Sequence, residues 1–226
     1  DMQEVLTIGE EEVDSLKGTR SRIPVGTTMT RETAMLLALM SSENRASHAL
    51  ARHFPGGKSA FVAAMNAKAH SLGMRDTRFD DPTGLSSSNV SSAYDLAKMV
   101  SAAYRYPLVR EFSTTPDAVV EVAGRQVAFN NTNPLVKSAS WEVGLSKTGY
   151  INEAGKCLVM QARVADRPAA TLLMPAPSEA GFMVNEPLAI GTALLYSVHV
   201  LLEAKTPLCA SITRPVTTRP PGRNWL

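Results

Sequence analysis

Lys147, Thr148 and Gly149 set a cation, a hydroxyl and a backbone without a side chain next to one another. They follow Trp141-Glu-Val-Gly-Leu-Ser146, within a stretch whose pattern predicts a strand over 142–151. Cleaving an amide beside a free carboxylate needs three things: a serine that can lose its proton, a cation to hold the carboxylate, and donors for the developing oxyanion. Lys147 can supply the charge and Thr148 a hydroxyl for the carboxylate, while Gly149 leaves room for a substrate backbone. Strand alternation places Lys147 and Gly149 on one face and Thr148 on the other, so an edge strand would allow both kinds of contact. The plain alternative is an exposed strand ending in an ordinary turn. A second polar triplet, Ser42-Glu43-Asn44, sits on a helical stretch that is apolar before it. Its hydroxyl and amide can relay a proton and hold a carbonyl; the plain alternative is a polar helix face or a helix break.

The elements that must carry these triplets follow from periodicity. Residues 1–29 read as short strands and turns, punctuated by Pro24 and Gly26. Thr30 is placed to cap a helix with Glu32 in its first turn, and Met35, Leu36, Leu39 and Met40 mark one buried face. That helix is expected to continue through the Ser42 triplet as far as Gly56-Gly57. A second helix is expected over 59–72, stopped by Gly73, and a third over 92–104 with Ser92 and Asp95 as a capping box and Pro107 beyond its end. After Pro116 the period changes. Residues 118–123 and 126–129 read as a hairpin, and 142–151, 157–164 and 169–173 as an antiparallel meander. Helices first and strands later indicate α+β. Asp80-Asp81 and the polar run before Val90, which ends in Asn89, read as turn and capping residues, and Tyr104 and Tyr106 as packing.

Composition removes several classes of function. A net charge of +2 gives no case for nucleic acid. The longest apolar stretch, 187–204, is interrupted by Gly191, Ser197, His199 and Glu203, which argues against a membrane span. Two cysteines and four scattered histidines suggest neither a disulfide framework nor a metal site. No Gly-x-Ser-x-Gly elbow supports a Ser-His-Asp hydrolase. No lysine has a serine three residues before it, so the sequence holds no Ser-x-x-Lys.

Several motifs occur in one order: Ser42-Glu-Asn-Arg45, Gly56-Gly57, Phe61-Val-Ala-Ala-Met-Asn-Ala-Lys68, Leu72-Gly-Met74, Asp81-Pro-Thr-Gly-Leu85 and Gly144-Leu-Ser-Lys-Thr-Gly-Tyr150. Together they resemble the D-alanyl-D-alanine endopeptidases and carboxypeptidases, the low-molecular-mass penicillin-binding proteins, and most of all the murein endopeptidases among them. The resemblance implies a β-lactamase/D,D-peptidase-like (transpeptidase-like) α+β fold, a helical cluster plus an antiparallel sheet, over 1–174. It implies a periplasmic serine peptidase that cleaves peptidoglycan cross-links through an acyl-enzyme, with β-lactams as inhibitors and no cofactor or metal. Carried over, Ser42 lies in the proton relay, Asn44 holds the acyl-side amide and Lys147 gives charge and shuttles protons. Thr148 binds the terminal carboxylate beside Gly149, and the Tyr150 N–H is half of an oxyanion hole. The family's Ser-x-x-Lys falls just before the segment matching Asp1, so this chain is expected to lack the N-terminal part and to be an inactive fragment. Residues 175–226 depart from the family. Seven of the 14 prolines lie after residue 173, and the Pro- and Arg-rich ending suggests a change of reading frame, with a helix over 188–204 and disorder beyond. The alternatives are a non-catalytic, wall-associated peptidoglycan-binding domain and a class A β-lactamase-type hydrolase.

Overall fold

The computed structural model describes residues 1–164, 167–175 and 188–189, with side chains as far as Arg163. The chain opens with strands β1 (Val5–Thr7) and β2 (Thr28–Thr30), paired antiparallel with Leu6 opposite Met29. Between them, a 3-10 turn at Glu10–Glu12 buries the Glu12 carboxylate, which accepts from Arg52 Nε at 2.6 Å.

Three helices follow: α1 (Arg31–Ser41), α2 (Asn44–Arg52) and α3 (Gly57–Ser71). Thr30 caps α1 as its composition predicts, its hydroxyl accepting from Thr33 N at 3.1 Å. The expectation of one buried face on α1 is too narrow. Ala34, Met35, Leu37, Ala38, Leu39 and Met40 are all buried, because β1, α2, a later helix at Pro107–Thr114 and a later hairpin enclose the helix.

The single helix expected to run from Thr30 to Gly56-Gly57 is also corrected. It breaks at Ser42, which adopts the left-handed conformation at φ 54, ψ 42. Glu43 is extended and caps α2, its side chain accepting from Arg45 N at 3.4 Å. Polar side chains close to the backbone compete with the helix for its partners, and the run Ser41-Ser42-Glu43-Asn44 offers several in succession.

Strand β3 (Val90–Ser91) and helix α4 (Ala93–Ala103) come next, the latter capped by Ser92 accepting from Asp95 N at 3.3 Å. Pro107, read as lying beyond a helix end, also starts a further helix, α5 (Pro107–Thr114), at the position where its missing N–H costs nothing.

The hairpin is β4 (Asp117–Val122) with β5 (Arg125–Asn130). The meander is β6 (Glu142–Ile151), β7 (Gly155–Val164) and β8 (Arg167–Pro175), in that spatial order. Strand β6 is therefore an edge, and α5 packs beside it. The register shifts between Val143 and Leu145. At Gly144 a Cβ would come within 2.9 Å of the Tyr104 ring, so a side chain there would displace the packing that seats the strand. Of the helix expected over 188–204, only Leu188–Ala189 are described. They form strand β9, paired with β3. The remainder of that segment, and the ending expected to be disordered, lie outside the described residues.

Candidate active site

The end of α1 and the middle of β6 converge. Lys147 is 1% exposed, and its Nζ donates to Ser42 Oγ, a residue 105 positions away in sequence, and to the Thr148 carbonyl at 2.7 Å. The exposed-strand alternative for this triplet therefore fails at its lysine. Burial lowers the Lys147 pKa from 10.5 to about 7, since removing an ammonium from water disfavours its charged form. An amine poised there can hold or release a proton near neutrality.

Ser42 is held in an unusual backbone conformation to make this contact. The N–H groups of Ser42 and Glu43 and the Ser41 hydroxyl all reach back to the Leu37 carbonyl. A left-handed non-glycine residue carries strain of ~1–3 kcal/mol, and such strain gathers where geometry serves a site.

The free edge of β6 can be assigned from one bond. Ser146 N donates to Ser113 Oγ, on α5, at 3.3 Å, so the Ser146 peptide faces away from β7. Alternation carries the N–H and C=O groups of Thr148 and Tyr150 to that same edge. Lys147 and Gly149 are paired toward β7, opposite Val159 and Cys157. The Thr148 hydroxyl donates to Thr132 Oγ1 at 2.6 Å, while Thr132 N donates to the Met40 carbonyl at 3.1 Å. Tyr150 is 61% exposed. Asn44 is near but turned to another partner, its Nδ2 donating to Thr19 Oγ1 at 3.1 Å.

Ser42, Lys147 and Thr148 are thus joined through direct bonds or a shared backbone, and Asn44 is two residues from Ser42. Gly149 and Tyr150 extend the same strand. Sequence reading missed Thr132, Asn133 and Ser113. Asn133 donates to Ser146 Oγ at 2.8 Å beneath the strand. The polar run Asn131-Thr132-Asn133 before Pro134 was the available signal. Asp81, expected in a turn, is there: its carboxylate accepts from the Thr83, Gly84 and Ser86 N–H groups and from Asn89 Nδ2. Among the described residues no group of three or more His, Cys, Asp or Glu could hold a metal ion.

A buried lysine on an edge strand, touching a strained serine at a helix break, describes a site without naming its substrate. The sequence profile described as D-alanyl-D-alanine carboxypeptidase matches residues 1–178. The chain belongs to that family. It is 47% identical over 177 residues to the D-alanyl-D-alanine endopeptidase of Pseudomonas aeruginosa, covering 77% of this chain and 57% of the relative. The D-alanyl-D-alanine endopeptidase of Escherichia coli is 45% identical with the same coverage. A mutant of a Streptomyces DD-transpeptidase superposes with TM-score 0.69 at 26% identity, covering 78% of this chain and 74% of that one. A D-alanyl-D-alanine carboxypeptidase of Mycobacterium tuberculosis shares the fold, with TM-score 0.68 at 24% identity over 92% of this chain and 76% of its own. The D,D-peptidase-like α+β fold is therefore that of the family. The chain spans 57% of the length of these two endopeptidase relatives. No helix among the described residues is long and apolar enough to cross a membrane.

Proposed function

We propose that this chain supplies the substrate-carboxylate and proton-relay side of a serine D-alanyl-D-alanine endopeptidase or carboxypeptidase acting on peptidoglycan in the periplasm. The observation that carries the reading is the contact between buried Lys147 and Ser42 across the break in α1. Residues 1–174 make up the peptidase-like domain, and 175–226 are an atypical ending, of which Leu188–Ala189 pair with β3.

In the whole enzyme the serine of a Ser-x-x-Lys segment attacks the carbonyl carbon of a D-alanine peptide bond. Its proton passes through the relay that Ser42 and Lys147 belong to, and reaches the departing amine as the C–N bond breaks. Water then attacks the ester carbonyl, releasing the acid and restoring the serine. Lys147 in its ammonium form, together with the Thr148 hydroxyl, holds the substrate's terminal carboxylate. A bound carboxylate in turn favours the protonated lysine. The Asn44 amide holds the acyl-side peptide, Gly149 lets it lie close, and the Tyr150 N–H at the free edge of β6 faces the forming oxyanion. β-Lactams, which acylate the same serine, are the expected inhibitors.

The 226-residue chain is expected to remain unlabelled by fluorescent penicillin. Fused behind a Ser-x-x-Lys segment of the kind the family resemblance implies, it is expected to become stably acylated and to release monomers from cross-linked muropeptides. Rapid turnover of penicillin by the fusion would favour a β-lactamase-type hydrolase instead. Muropeptide binding without acylation or cleavage would favour a non-catalytic wall-binding domain.

A further inference from the structure

Glu43 is a buried carboxyl between two residues of the site, and the mechanism above gives it no task. It is 8% exposed. Its Oε1 accepts from the Ser21 hydroxyl at 2.6 Å and from Arg45 N at 3.4 Å.

Its neighbours grip the same stretch of chain. Asn44 Nδ2 donates to Thr19 Oγ1 at 3.1 Å, and Arg45 Nη1 donates to the Ile23 carbonyl at 2.7 Å. Three consecutive residues after Ser42 thus hold alternate positions 21, 19 and 23 of one strap. The strap has its own anchors. Asp14 accepts from Thr19 N and Thr19 Oγ1 at 2.8 and 2.7 Å. Arg22 donates to the Ala128 carbonyl at 2.5 Å and stacks over the Phe129 ring at 4.1 Å. Lys17 meets Glu153, in the turn after β6, at 2.5 Å. The strap therefore touches both the helix break that carries Ser42 and the turn that ends the strand carrying Lys147.

We propose that Glu43 is a positioning residue, which by holding Ser21 of the strap and the first turn of α2 fixes the Ser42 bend against Lys147. This rests on the functional reading only in naming Ser42 and Lys147 as the parts positioned. A left-handed serine relaxes unless its surroundings over-determine it. Among the residues flanking Ser42, Glu43 is the one whose side chain ties to both α2 and the strap. A carboxyl this buried costs free energy unless its acceptors are used, which gives the bend a stake in keeping Ser21 in place. Burial raises the Glu43 pKa, against the lowering pull of the Ser21 hydroxyl, the Arg45 N–H and the Arg22 and Arg45 guanidinia.

The test uses the 226-residue chain, so it does not depend on catalysis. Lys147 is followed by NMR of its labelled ε-carbon during a pH titration, with thermal melts run on the same samples. Glu43→Ala is expected to let water reach the ammonium and to move the Lys147 midpoint up by about one pH unit or more. Glu43→Gln, which keeps an acceptor for Ser21 and Arg45, is expected to leave it within a few tenths of wild type. Should Glu43→Ala not fold, Ser21→Ala at the half-buried strap residue is expected to raise the midpoint and Ser21→Thr to restore it. An unmoved midpoint in Glu43→Ala, or in Ser21→Ala where that is the variant that folds, would overturn the proposal. So would a Glu43→Gln variant as shifted as Glu43→Ala. A failure of acylation in the fusion described above, with these shifts present, would count against the peptidase reading and leave this one standing.

Discussion

Lys147→Met is expected to make the protein more stable at pH 6 and to remove acylation from the fused enzyme. The folded lysine has a pKa of about 7 against its ordinary 10.5, the difference arising from burial. Below pH 7 folded and unfolded chains both carry the proton, and the folded state bears the cost of an ammonium removed from water. Between pH 7 and 10.5 the unfolded chain binds a proton that the folded chain does not, so this group makes stability rise with pH through that window. The full span corresponds to ~5 kcal/mol, an upper figure for a site where a serine hydroxyl and a carbonyl remain as partners. Methionine has similar length and no charge, and replacing a buried ion by an apolar side chain is often stabilising. Urea denaturation at pH 6 and pH 9 should show the wild type gaining stability and the variant changing less, with the variant ahead by about 2–4 kcal/mol at pH 6. A variant no more stable than wild type at pH 6 would mean that the lysine is not held in a buried, easily deprotonated state.

Asp81→Ala is expected to have the largest destabilising effect of any change outside the core. Asp81 is 3% exposed, and its carboxylate organises the 81–89 turn by accepting from three backbone N–H groups, the Thr83 hydroxyl and the Asn89 amide. Truncation leaves those buried donors without an acceptor and costs ~3–5 kcal/mol. Asp81→Asn keeps one acceptor oxygen and should recover part of the loss. Thermal and urea melts of both variants measure this; an alanine variant within about 1 kcal/mol of wild type would show that the turn is held by other means.

The Asp81 turn and the strand carrying Lys147 were legible because their signals are local. Pro82 and Gly84 punctuate the first, and the pattern around Lys147 declares the second. The three-stranded meander and the capped α4 were legible for the same reason. What local pattern could not reveal is tertiary. The run Ser41-Ser42-Glu43-Asn44 is compatible with a polar helix face as well as with a break; its side chains can compete for the helix backbone, and the grip of Thr19, Ser21 and Ile23 on the three residues after Ser42 is the tertiary part that decides between the two. The near-complete burial of α1 follows from four elements that enclose it, which no single helical face can announce. Pro107 was ambiguous, since proline both follows helices and begins them. As for the site, the types of Ser42, Asn44, Lys147 and Thr148 suggested chemistry, but the full burial of Lys147 and its bond to Ser42 needed the fold.

The most direct test of the Ser42–Lys147 site is the acylation rate of the chain fused behind the same Ser-x-x-Lys segment, with Lys147 and Ser42 each intact or replaced by alanine. Stopped-flow mixing with fluorescent penicillin reads it, and circular dichroism confirms that each variant is folded. Lys147→Ala and Ser42→Ala are each predicted to slow acylation by about 10²–10⁴-fold, the range expected for removing a proton-transfer or charge-stabilising group. Acylation as fast in both variants as in the parent would contradict the assignment of these two residues to a peptidase site.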